Sequence, residues 1–208
     1  MRGRIITISR EFGSGGRELG KRLADALKIS CYDHEIIEMI AERHGFDKNY
    51  VARISEKDLR AAYPMTIGHR FAPSPLSMNM SVQVAVTQQK IIKQFAGQGD
   101  CVIVGRCADV ILQEFHPMNL FVYADQRSKL ARCAQRMPEG ENLSSSELLR
   151  KMKQIDKDRA AYRGLFTDTQ WGRREAYHLC INTSDHEIKA LIPPLAEYVS
   201  CWFAQNTV

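Results

Sequence analysis

The 208-residue chain has no CxxC pair and no histidine and cysteine grouping at zinc-ligand spacing. Its cysteines, Cys31, Cys101, Cys107, Cys133, Cys180 and Cys201, stand singly, several of them inside apolar runs. This excludes a local zinc finger or a disulfide scaffold and predicts free thiols in a reducing compartment. No apolar run approaches the roughly 20 residues of a membrane span, so the expectation is a cytoplasmic protein without a membrane partner. A concentrated lysine and arginine stripe interleaved with aromatics is also missing, which argues against nucleic acid as a partner. The formal net charge of +5 is no more than an ordinary solvated surface carries. The histidines form no spaced set, and none is given a metal or catalytic role.

What the chain does have is concentrated in residues 4–24, where an apolar run, a glycine-rich turn and a helical pattern follow without a break. Ile5, Ile6 and Ile8 read as a strand covered on both faces of a parallel sheet. Gly13, Gly15 and Gly16 permit backbone conformations that a Cβ forbids and allow close approach to a ligand. Leu19, Leu23, Ala24 and Leu27 recur at spacings of three or four, so a helix is predicted from near Arg17. Its exposed N–H groups and dipole, aimed at the turn, favour an anion.

Further along, short apolar strands at 29–32, 101–104, 120–123 and 177–181 alternate with helical patterns at 35–43, 82–95, 107–115, 126–137 and 188–203. Another helix follows Ser144, which has capping-box spacing to Glu147. Five strands separated by helices predict an α/β domain in three layers, a parallel sheet with helices on both faces and ligands at the carboxyl ends of the strands. Residues 1–208 read as one domain. The segment 46–80, broken by Pro64, Pro73 and Pro75, is expected to be a mobile insert, and the helical region 126–163 a lid.

The turn fits two phosphate-binding patterns, neither cleanly. A dinucleotide fingerprint G-x-G-x-x-G starts at Gly13-Ser14-Gly15 but meets Glu18 at the third glycine, while Asp33 supplies its later acid, so a Rossmann-type NAD enzyme is one alternative. A Walker A motif, G-x-x-x-x-G-K-[ST], lacks its lysine. With Gly16 as the last glycine, Glu11, Arg17 and Glu18 occupy the first-glycine, lysine and hydroxyl places.

Six blocks spread over the chain carry a resemblance. They are ISREFGSGGRELG at 8–20, YDHEII at 32–37, VGRCAD at 104–109, DKDRAAYR at 156–163, Trp171-Gly172, and LCINTS at 179–184. Together the chain resembles the cytidylate kinase-like family. The resemblance implies a P-loop NTPase fold and a phosphotransferase moving a phosphoryl group from ATP, with Mg²⁺, to CMP or a similar nucleotide substrate. A protein of the same fold that binds nucleotide for regulation and has lost transfer is the other alternative.

On this reading Gly13, Ser14, Gly15, Gly16 and Arg17 cradle the donor phosphates, Arg17 is the cation at the lysine place, and Glu18 is a candidate Mg²⁺ ligand. Arg127 and Arg132, with Arg136, resemble a lid over ATP. On the acceptor side the resemblance implies Asp33 for the sugar or base, Arg106 for the phosphate, Asp109 as its companion, and the Asp156-x-x-Arg159 pair. Asp156, Arg159 and Arg163 are three and four apart, so they share one helix face. Arg159 and Arg163, with Arg17, are the cations expected along the path of the moving phosphoryl group.

Overall fold

The computed structural model of the protein describes residues 3–45, 75–137 and 143–205. Five strands, β1 (Ile5–Arg10), β2 (Ser30–Tyr32), β3 (Cys101–Val104), β4 (Met118–Tyr123) and β5 (Leu179–Asn182), form one sheet in the order β2-β3-β1-β4-β5. Every neighbouring pair is parallel. β1 is central and buried at all six positions, as its nearly continuous β-branched composition requires.

The helices are α1 (Gly16–Leu27), α2 (His34–His44), α3 (Pro75–Gly97), α4 (Ala108–Ile111), α5 (Gln126–Gln135), α6 (Ser145–Arg163) and α7 (Ile188–Gln205). Side chains alternate across the sheet, so successive residues of β1 feed two cores. Ile6 and Ile8 join Val102, Val104, Leu120 and Val122 beneath Leu19 and Leu23 of α1 and Ile192 and Leu195 of α7. Ile5 joins Ile103 on the opposite face, beneath Ile36 and Ile40 of α2 and Ile91 and Ile92 of α3. Thr7 shares that face and bonds sideways, its Oγ1 donating to Asn119 Oδ1 at 2.7 Å.

Element boundaries differ from the sequence pattern at several ends. α3 starts at Pro75, before the first apolar repeat at Val82, because proline is well suited to a helix's first position. Residues 46–74 of the expected insert lie outside the described residues. α7 starts at Ile188 as expected, runs on to Gln205 and carries Pro193 and Pro194 in its second turn; both are exposed, so the carbonyls they leave without helical donors lie on the outer side. α1 starts at Gly16, one residue before the predicted start. The capping box at Ser144 and Glu147 forms as expected. All six cysteines are free, and burial pushes the Cys31 and Cys101 thiols up to about 12.

The strand order decides between the two phosphate-binding patterns. In a dinucleotide-binding sheet the second strand lies beside the first. Here β3 is inserted between them, which removes the Rossmann-type NAD alternative.

Candidate active site

β1 ends at Arg10 in the middle of the sheet, and the chain turns through Glu11–Gly15 into α1. Gly15, at φ +81°, is the cap residue of that helix. The first i→i−4 bond of α1 runs from Leu19 N–H to the Gly15 carbonyl at 2.9 Å. The amides just before Leu19 therefore have no partner within the helix and are available to an anion.

The loop is held from several sides. Ser14 donates from its hydroxyl to the Glu11 carbonyl at 2.8 Å. Phe12 N–H donates to Asp156 Oδ1 at 2.7 Å. The buried Thr183 hydroxyl donates to the Ser14 carbonyl at 2.7 Å. Arg132 Nη1 donates to Thr183 Oγ1 at 3.1 Å and Arg132 Nη2 to the His186 carbonyl at 3.0 Å, tying α5 to the turn after β5. Lys129 Nζ donates to Glu11 Oε2 at 2.8 Å.

Above the loop lies a cavity of about 320 Å³ whose walls include Arg10, Arg17, Arg132, Arg136, Lys151 and Arg159, with Glu11 as the acid. Phe12, Met137, Leu143 and Leu148 form its apolar side. A smaller cavity of about 30 Å³ lies at the ends of β1 and β3, between Arg106, Asp109, Tyr162, Arg163 and Trp171. Arg10 and Arg159 line both.

The residues singled out from the sequence distribute as follows. Arg17, in the first turn of α1, pairs through Nε with Asp33 Oδ2 while its side chain stays 57% exposed. Asp33 stands at the cap position of α2 but makes no capping bond. It is 7% exposed and faces Arg17 and, at 4.0 Å, Arg10. Glu18 gives one oxygen to Arg22 Nε at 2.8 Å and the other to Arg136. Partial burial pushes its pKa up, but the hydrogen bonds and charges of the two arginines outweigh this and hold it below the usual range.

Arg106 is buried and lies in a run of three left-handed residues, Gly105 (φ +77°), Arg106 (φ +58°) and Cys107 (φ +52°), which turns the chain sharply after β3. Such backbone persists only where the surroundings enforce it, often at functional sites. Asp109 and Arg163 form a buried ion pair, and Arg163 also donates to the Thr169 carbonyl at 3.2 Å and to Thr169 Oγ1 at 3.0 Å. Burial works against the Arg163 charge, yet Asp109 more than offsets it and raises the pKa.

Asp156 is pushed up by burial and drawn back by the Phe12 N–H and by Arg159, the first effect prevailing. Arg159 Nη1 donates to the Arg10 carbonyl at 3.0 Å and lies 3.4 Å from Asp156 Oδ1. Arg127 is exposed, pairs with Asp185 and does not line either cavity. Trp171 and Tyr177 pack on Phe121 with ring centroids 5.3 and 4.9 Å away.

Three side chains of the site were not singled out from the sequence. Lys129, bonded to Glu11 of the loop, and Lys151, on the cavity wall, sit on helices rich in charge, where nothing in the pattern separates a site lysine from a solvated one. Arg10 had one signal, a charge at the end of an otherwise uncharged strand, and the structure buries it at 8% exposure.

The donor set suits the phosphates of ATP, through the loop amides and the cations around them. It does not fit a magnesium ion held by Glu18, both of whose oxygens engage guanidinium groups. No group of three His, Cys, Asp or Glu able to hold a metal occurs among the described residues.

A central strand running into a glycine-rich loop and helix, a β2-β3-β1-β4-β5 parallel sheet and a cationic cavity over the loop define a P-loop NTPase fold of the small-molecule and nucleotide kinase type. Within that class the model of the cytidylate kinase-like family matches residues 5–185, and the chain belongs to this family. Among solved structures it is similar to an uncharacterized protein from Eubacterium ventriosum, at 26% identity over 95% of this chain and 98% of that one, with a TM-score of 0.67. It shares the fold of a shikimate kinase from Bacteroides thetaiotaomicron, at 14% identity over 95% and 98% of the two chains, TM-score 0.56. It also shares that of a gluconokinase from Sinorhizobium meliloti, at 15% identity over 99% and 98%, TM-score 0.52. A comparison with curated protein sequences gives no match. Among the described residues no helix is long and apolar enough to cross a membrane.

Proposed function

We propose that the protein is a phosphotransferase that moves the γ-phosphoryl group of ATP to CMP or a similar nucleotide by direct in-line transfer. The observation that carries this reading is the shared wall: Arg10 and Arg159 line both the cavity over the phosphate loop and the smaller cavity at the ends of β1 and β3. A phosphoryl group passing from donor to acceptor crosses between two cations. Positioning and charge neutralisation are most of what such a transfer asks of a protein.

In this scheme the loop amides from Gly13 to Arg17 hold the donor phosphates. Arg17 and Arg136 meet them from the rim, and Arg132 keeps the loop in shape. Arg106 binds the acceptor phosphate, Asp33 orients the acceptor, and Asp109 and Arg163 hold the acceptor wall. Helices α5 and α6 close over the nucleotide as a lid. Magnesium, bound through phosphate oxygens and water, would neutralise charge on the donor; no side chain is assigned to it.

A coupled assay with ATP, Mg²⁺ and a panel of nucleoside monophosphates tests the reading. Turnover with at least one acceptor is expected, and ATP binding without turnover on any of them would overturn it. Arg106→Ala is expected to raise the acceptor KM far more than the ATP KM. A second reading, nucleotide binding without transfer, draws on the ion pairs that already engage Arg17 and Arg136 with Asp33 and Glu18. The same assay separates the two.

A further inference from the structure

The loop glycine in the left-handed conformation next to the helix is Gly15, and α1 begins at Gly16. If Gly15 is the last glycine of G-x-x-x-x-G-K-[ST], the lysine place falls on Gly16, the hydroxyl place on Arg17 and the first-glycine place on Arg10. The motif then has a glycine where the cation should be and a cation where a glycine should be.

The packing ties these two departures together. A Cβ on Gly16 would lie 2.5 Å from Arg10 Cβ, so a lysine at position 16 and an arginine at position 10 exclude one another. The Arg10 side chain passes from there under the loop to the end of β3, where a Cβ on Gly105 would lie 1.6 Å from its Nη1. Gly16 and Gly105 thus form the passage that Arg10 occupies. The guanidinium reaches the boundary between the two cavities, 4.0 Å from Asp33. Burying a charge in this way is costly, and a site that must hold phosphate gives a reason for it.

We infer that Arg10 is the displaced cation of the phosphate site, taking the part of the missing lysine from the opposite end of the loop. The inference rests on the phosphotransferase reading for the transfer step, but its phosphate-binding half stands without it.

The test is a reciprocal exchange comparing wild type, Arg10→Gly, Gly16→Lys and the double variant, which restores the first glycine and the lysine of the motif and leaves Arg17 at the hydroxyl place. Each single change is expected to lower kcat about 100-fold, the scale of losing one charge-stabilising group. The double variant is expected to recover to within about 10-fold of wild type, a coupling read directly from the cycle. A double variant no better than the worse single would overturn the inference.

Arg10→Met keeps the bulk in the passage and guards against misfolding of the glycine variant. Its affinity for ATP and for inorganic tripolyphosphate, measured by calorimetry, is expected to fall at least about 10-fold, the scale of one charged hydrogen bond; affinities within twofold of wild type would overturn the inference. If the wild type transfers to no acceptor, the phosphotransferase reading fails, and the tripolyphosphate measurement still decides whether Arg10 is a phosphate cation.

Discussion

Asp156 on α6 accepts the Phe12 backbone N–H of the phosphate loop at 2.7 Å, across 144 residues of sequence. The same helix places Arg159 against the Arg10 carbonyl, so the geometry of the loop depends on how α6 docks. Asp156→Ala removes the acceptor and leaves the N–H without it, a loss of about 1–3 kcal/mol of stability. Asp156→Asn keeps an acceptor and is expected to lose less. Urea denaturation of the three proteins measures the order.

The pH dependence of that contribution has a definite sign. Burial raises the folded pKa of Asp156 despite the opposing Phe12 N–H and Arg159. Between the unfolded value, about 3.9, and the raised folded value, the folded state holds the proton that the unfolded chain has released. The contribution is therefore most favourable below this window and falls as pH rises through it. Wild type is expected to lose stability relative to Asp156→Asn on going from about pH 3.5 to about pH 6.5. A flat difference between the two denaturation series would contradict this.

Glu18 pairs with Arg136, and on the proposed reading it competes there with the donor phosphates. Glu18→Gln removes a negative charge beside the loop and releases that guanidinium, so ATP affinity at low ionic strength is expected to tighten about two- to fivefold, on the scale of an exposed ion pair. The magnesium concentration for half-maximal activity is expected to stay unchanged. A marked rise in that requirement would show that Glu18 holds the metal after all.

The Asp109–Arg163 pair is buried on both sides, and the exposed Arg127–Asp185 pair offers a contrast. Removing one member of a buried pair strands the other, so Arg163→Met is expected to cost about 3–5 kcal/mol. Arg127→Ala is expected to leave stability close to that of wild type, because solvent screens an exposed pair. Thermal and urea unfolding distinguish them, and near-equal losses would mean that the inner pair is solvated in solution.

Gly105→Ala is expected to impair transfer beyond its effect on stability. Its backbone lies at φ +77°, and the added methyl would displace the Arg10 guanidinium. Gly45→Ala is the control, at φ +65° with nothing within 4 Å among the described residues. Both incur about 1–2 kcal/mol of left-handed strain, but only the first is expected to reduce kcat, by at least about 10-fold. Equal kcat in the two variants would separate Arg10 from the reaction.

The sequence by itself determined the layers and the glycine-rich turn between β1 and α1. Periodicity reports which faces of a strand or helix are apolar, and Ile5, Ile6 and Ile8 before three closely spaced glycines are legible as strand and loop without coordinates. The six motif blocks carried the family in the same way, as local strings. Strand order was not legible, because nothing in the string of β2 or β3 says which of them lies beside β1, and that placement is what removed the dinucleotide alternative. The register of the loop was not legible either. Gly15 and Gly16 are adjacent and identical, and only the backbone conformation shows which one ends the loop. The burial of Arg10 depends on contacts with Gly16 and Gly105, the second 95 residues away, and such long-range steric permission exists only once the strands are side by side.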